Sequence, residues 1–294
     1  MGSRAPHFIA TRSCPWTTKC SSGHGARAKV PEVVPSVDSD PSNGPKPSVR
    51  WKARLRAAPQ VQNAPVGCRS FFVIAWEQLG LVSLPTGEEL TLSRRSEEYS
   101  VSVNDVVLMN SRSHYSEEQL AVLGCAHLQA RPKARVLVGG LGMGFTLRAA
   151  LDVLPADATV EVAELLPEVV EWNRGPLGHL AAHPLDDPRT WVRTEDVRRT
   201  LACANELYDA ILLDVDNGPL AFTSQSNDAL YTDDGLRSVG QALRPNGVLC
   251  LWSAWDDGSF TNRLRANGFH ARKRRVPARP KGNFIHVLWL ATKT

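Results

Sequence analysis

"VLVGGLGMGFTLRAAL", residues 136–151, decides the fold. An apolar run of strand character ends in a cluster of glycines, and a helical pattern follows at once. A strand-to-helix turn whose backbone must come close to a ligand needs glycine, because a side chain would stand in the way. The spacing narrows the ligand. A dinucleotide turn reads G-x-G-x-x-G, whereas Gly140, Gly142 and Gly144 give G-x-G-x-G, and Phe145 stands at the third dinucleotide position. No G-K-[S/T] follows, which excludes a phosphate-cradling loop of that kind.

Working outward, strand and helix patterns alternate. "ARVLVGG" (134–140), "ATVEVAE" (158–164), "TWVRTED" (190–196), "YDAILLD" (208–214) and "VLCLWS" (248–253) read as strands. Between them lie helical stretches at 145–154, 166–174, from about Val197, and over "NDALYTDDGLRSVGQAL" (227–243), the last ended by "RPNG". "DGSFTNRLRANG" (257–268) is a further helix. "FHARKRRV" (269–276) and "NFIHVLWLAT" (283–292) read as a terminal antiparallel pair. Repeated strand–helix units build a doubly wound sheet with right-handed crossovers. The expected fold is α/β, with a mostly parallel seven-stranded sheet of the S-adenosylmethionine-methyltransferase-like Rossmann type.

Upstream, residues 80–111 hold short alternating stretches broken by "PTG" and "ND", which are hairpin signals. "SEEQLAVLGCAHL" (116–128) reads as a helix with Ser116 as its N-cap. Residues 1–68 differ in kind. They hold nine of the 20 prolines, and ten Lys/Arg against three Asp/Glu. The remaining 24 Lys/Arg and 27 Asp/Glu leave a balance of −3, so the overall charge of +4 belongs to the first segment. Such a segment cannot bury enough apolar area to offset its ordering entropy. The expected organisation is therefore a disordered extension over 1–68, a small β segment with a helix over 69–128, and a nucleoside-binding domain over 129–294. The Arg-rich start resembles an organellar transit peptide, but an extension without a targeting role is the plainer reading.

The composition, 43% apolar and 22% charged, is that of a globular protein. "FFVIAW" (71–76) is too short to span a bilayer, and no secretory leader is expected. No membrane or nucleic-acid partner is expected either. The six cysteines form no C-x-x-C pair, which suits a reducing, cytoplasmic setting, with Cys125, Cys203 and Cys250 expected in the core.

A G-x-G-x-G turn behind an apolar strand suits a nucleoside of the S-adenosylmethionine type, which has no pyrophosphate to seat. Glu164 lies 20 residues past Gly144, at a strand end, where a carboxylate accepts both ribose hydroxyls. Asp196 ends the third strand and reads either as a partner for the adenine amine or as a helix N-cap. Asp214 ends a central strand, where a carboxylate opens onto the ligand crevice, and Asp216 and Asn217 follow it. An acidic rim of this kind suits a cationic, amine-bearing acceptor, though Asp, Asn and Gly also make an ordinary turn. His179 and His183 are four apart, but Pro184 breaks the helix that would align them, so no metal site is expected. The basic stretch "RKRRVPARPK" (272–281) reads as a solvated hairpin arm.

From about Phe71 onward the sequence resembles the polyamine aminopropyltransferases, the spermidine/spermine synthase family. The likeness rests on the glycine turn, on "VAELLPEVVEWNR" around Glu164, on "DDPRTWVRTED" leading to Asp196, and on "YDAILLDVDNGP" carrying Asp214. "HYSEEQLA" (114–121), "LYT" (230–232) and "LRPNGVL" (243–249) follow the family's order. The resemblance implies Gly140, Gly142, Met143, Gly144, Glu164 and Asp196 at the co-substrate. It implies Tyr115, Glu117, Asp216 and Asn217 at the acceptor, and Asp214 as the catalytic base. It also implies decarboxylated S-adenosylmethionine as co-substrate and no metal. Three positions depart from the family: Met143 replaces an Asp that contacts the aminopropyl amine, Asn217 replaces a second acceptor-site Asp, and Ser116 replaces a His. These departures keep two other readings open: an S-adenosylmethionine-dependent methyltransferase, and a nucleoside-binding protein whose acceptor site has decayed. Assembly as a homodimer is left open by the sequence.

Overall fold

The computed structural model describes residues 74–84, 87–215 and 227–294. All of them belong to one compact unit, Ala53–Thr294. The proposed disorder of 1–68 and the residues Asp216 and Asn217 lie outside the described residues.

The described chain opens with a four-stranded antiparallel meander in sequence order: β1 (Glu77–Ser83), β2 (Glu89–Arg95), β3 (Glu98–Val103) and β4 (Val106–Asn110). Helix α1 (Tyr115–Cys125) follows. Its N-cap is His114 and not Ser116. Ser116 instead turns inward, accepting a 3.0 Å bond from Trp252 Nε1 and sharing a 2.7 Å bond with His286 Nδ1. A buried hydroxyl that finds two partners has more to lose at a solvated cap than a cap bond returns.

The main sheet contains β5 (Arg135–Gly139), β6 (Thr159–Glu164), β7 (Thr190–Thr194), β8 (Tyr208–Leu213), β9 (Leu243–Ser253), β10 (Phe269–Pro277) and β11 (Ile285–Lys293). Its spatial order is β10-β11-β9-β8-β5-β6-β7. The five strands from β9 to β7 are parallel, and β10 and β11 are antiparallel, as the terminal pair suggested. The helices between are α2 (Phe145–Val153), α3 (Pro167–Arg174), α4 (Val197–Cys203), α5 (Asp233–Ala242) and α6 (Phe260–Ala266).

Both faces of the sheet are covered, and the strand period of two assigns side chains to each. Val136 and Val138 of β5, with Ala210 and Leu212 of β8, pack with α1, α2, α3 and the small sheet. Leu137, Ile211 and Leu213 face the opposite way, onto α4, α5 and α6. Two details differ from the sequence reading. Strand β9 takes in Leu243–Gly247, with the register against β8 shifting between Tyr208 and Ala210, because Asn246 adopts φ 62° and absorbs the extra residues as a bulge. Cys203, at the end of α4, is exposed, whereas Cys125 and Cys250 are buried.

Candidate active site

The carboxyl ends of the parallel strands converge on a cavity of about 190 Å³. The turn after β5 supplies its floor. Gly140 has φ 87°, and a Cβ there would overlap the Asp214 carbonyl oxygen. The strand ends can lie this close only if the residue is glycine. The Gly140 N–H donates to the Ala163 carbonyl (2.9 Å), and the Asp214 N–H donates to the Gly139 carbonyl (2.8 Å), so the turn is tied to its neighbours on both sides. Gly142 has φ 53° and lines the cavity, with Met109 Sδ 3.5 Å from where its Cβ would be.

Glu164 closes β6 and lines the same cavity. Its carboxylate accepts the Leu141 N–H and the Leu166 N–H, each at 2.9 Å. These bonds fix its orientation, and a carboxylate has about four acceptor directions in all. Asp196 is a helix N-cap, and its position also borders the cavity. It caps α4, accepting the Arg198 N–H at 2.8 Å. Burial pushes its pKa up, but the Arg198 side-chain and backbone hydrogen bonds outweigh that, so it is held below the usual range.

Asp214 and Glu117 both line the cavity, and their charges act on each other. Thr146, in the first turn of α2, donates to Asp214 Oδ2 at 2.6 Å. A carboxylate beside a helix N-terminus also gains from the helix dipole. For Glu117, burial first and the Asp214 charge second, with Glu118 behind, push the pKa well above the ordinary carboxylate value. A like charge nearby disfavours the ionised form of a carboxyl.

Three residues expected here sit elsewhere. Met143 is buried in the hydrophobic core and is not among the residues lining the cavity, because the αL turns at Gly142 and Gly144 aim the side chain between them inward. Gly144 likewise does not line it; it is the N-cap of α2 and packs against Asn173 and Pro184. Tyr115, the first residue of α1, lines a separate cleft with Arg274, Arg275 and Lys281, one helix face away from Glu117. Four residues that the sequence did not single out are present. Thr146 holds Asp214, and its only sequence signal is its place two residues after the glycine turn. Trp252, near the end of β9, walls the cavity, and β4 adds Leu108 and Met109. Nothing local in the sequence marks these, since they arrive by long-range packing. Among the described residues no cluster of three metal-ligating side chains occurs, and no helix is long and apolar enough to cross a membrane.

The sheet order, the glycine turn and the acids at the strand ends define the S-adenosylmethionine-methyltransferase-like class of α/β folds. Within it, solved spermidine synthases share this architecture, including the small antiparallel sheet ahead of the main one. The chain is similar to a spermidine synthase from Thermotoga maritima, with a TM-score of 0.59 and 18% identity, over 74% of this chain and 73% of that one. A spermidine synthase in complex with the transition-state analogue AdoDATO gives 0.58 and 18%, over 74% and 72%. A probable spermidine synthase from Corynebacterium glutamicum gives 0.52 and 18%, over 73% and 80%. At this identity the likeness is one of fold. No protein-family model matches the sequence.

Proposed function

We propose that the chain is a transferase of the aminopropyltransferase kind, acting on a sulfonium nucleoside and an amine acceptor. One observation carries the reading: Gly140, Gly142, Glu164 and Asp196 line a single cavity that Asp214 and Glu117 also line. The glycine turn and the two acids fit a nucleoside. The turn offers backbone that approaches without side chains, and Glu164 and Asp196 offer acceptors for hydroxyl and amine donors. The neighbour that holds AdoDATO supports decarboxylated S-adenosylmethionine as the co-substrate.

An acceptor amine arrives protonated at neutral pH and must lose its proton. Asp214, held by Thr146, orients the amine and takes that proton. Glu117, whose ionisation burial and the Asp214 charge oppose, gains a counter-charge when a cation enters and then gives the ammonium a second carboxylate. The amine nitrogen then bonds to the carbon beside the sulfonium as that carbon–sulfur bond breaks. Its electron pair stays on sulfur as a neutral thioether, and the carboxylate releases its proton to water. Charge is neutralised rather than created at the leaving atom, so positioning supplies most of the rate.

Methyl transfer from S-adenosylmethionine is the second reading, and Met143 favours it. With that side chain in the core, the turn offers no carboxylate to hold the amine of an aminopropyl group. A turnover assay with each co-substrate separates the two by whether methylthioadenosine or S-adenosylhomocysteine is released. For either reaction, Asp214→Asn should cut turnover by about 10²–10⁴ while leaving nucleoside affinity nearly unchanged. Full turnover in that variant rejects Asp214 as the base.

A further inference from the structure

A second chamber of about 680 Å³ adjoins the nucleoside cavity. Leu108, Met109, Glu117 and Trp252 line both, so Glu117 stands at the boundary of the two. The walls of the second chamber are largely apolar and aromatic, with Asn110, Ser113 and Asn283 as neutral polar groups among them. Val106, Val107, Trp255 and Phe284 line it, yet they are 65%, 56%, 48% and 60% exposed. Large apolar side chains gathered in a concave place and left open to solvent mark a surface that something apolar covers. Three rings form a run along it. His286 packs edge-to-face on Trp252 at 4.6 Å and on Phe284 at 5.2 Å. Burial lowers the His286 pKa to about 4, so this ring is neutral at physiological pH.

The charges decide what kind of amine fits. Among the described residues lining the chamber, Glu117 is the carboxylate, at the junction with the nucleoside cavity, and Arg279 is a cation. An aliphatic diamine carries two ammonium groups. One would meet Glu117, and the other would find, among the described residues, rings, methyl groups and the neutral Asn110, Ser113 and Asn283, in the company of a guanidinium and without a carboxylate. That placement costs both desolvation and like-charge repulsion.

We infer that the acceptor is a monoamine on an aromatic body, its nitrogen at the Asp214–Glu117 pair and its ring against Trp252, Trp255 and Phe284. The inference rests on the transferase reading above and names the substrate class for that site. A ring in this chamber gains edge-to-face contacts as well as buried area, and it brings no second charge to desolvate.

Calorimetry on the full chain tests it, with 2-phenylethylamine and 1,4-diaminobutane titrated separately in the presence of saturating methylthioadenosine. The expected result is binding of 2-phenylethylamine at least about tenfold tighter than the diamine, and a loss of about tenfold in Phe284→Ala and in Trp255→Ala. Both side chains are exposed, so neither variant should lose its fold, and methylthioadenosine affinity should not move. If methylthioadenosine binds but the diamine binds as tightly, or neither amine binds, the aromatic acceptor is overturned and the nucleoside reading stands. If methylthioadenosine itself fails to bind, the transferase reading falls and takes this inference with it. Should both variants turn a dimer into a monomer in sedimentation without altering amine affinity, the rings cover a second copy of the chain, and the inference is likewise overturned.

Discussion

Glu117 is a carboxylate whose surroundings oppose its charge. It is half-buried, the Asp214 charge acts on it and Glu118 adjoins it on the same helix, so its folded-state pKa lies well above the ordinary 4.5. The sign follows from linkage. A group whose folded pKa is raised contributes stability that is fully present below its unfolded value and is lost as pH rises through the folded one. Glu117→Gln keeps the shape and removes the titration. That variant should therefore melt at a higher temperature than the natural chain at pH 8, with the difference shrinking to nothing near pH 4. Thermal melts by circular dichroism at the two pH values check it, and a constant difference would place the Glu117 charge in water. A strained pair kept at the mouth of a cleft suits a site that stores cation affinity at the expense of stability.

The turn between β5 and α2 shows what was legible at the scale of elements. A strand pattern, three glycines and a helical pattern are local signals, so the sequence located the turn and the acids Glu164, Asp196 and Asp214 that end neighbouring strands. Side-chain direction was not legible. Met143 and Tyr115 sit within two positions of cavity residues in sequence, yet one lies in the core and the other lines a separate cleft. Thr146, Trp252 and the β4 residues reach the site through pairings far apart in the chain, which local periodicity cannot report. The same turn yields a split prediction. Gly140→Ala forces a Cβ into the Asp214 carbonyl at φ 87° and should lower stability by several kcal/mol or prevent folding. Gly142→Ala meets only ordinary contact at φ 53°, so it should cost about 1–2 kcal/mol, but its methyl enters the cavity and should weaken nucleoside binding. Denaturant melts and calorimetry on the two variants separate these effects, and equal losses of stability would contradict the described turn.

At the scale of the molecule, two cores on opposite faces of one sheet hold the strand ends in register, and the small antiparallel sheet joins the core on the α1–α3 face. We propose that this frame folds without the proline-rich, basic first segment. A chain starting at Cys68 should keep the melting temperature of the whole. A fall of about 2–4 °C, the signature of roughly 1 kcal/mol of lost packing, would show that the segment contributes to the fold. The central claim is that the cavity at the glycine turn is a nucleoside site organised by Glu164. Calorimetric titration of methylthioadenosine into the natural chain and into Glu164→Ala tests it most directly. Each ribose hydroxyl bond to a carboxylate is charge-assisted and worth about 1.5–3 kcal/mol, so the variant should bind roughly a hundredfold or more weakly while melting as a folded protein. Equal affinity in the two proteins, or no binding to the natural chain, would contradict it.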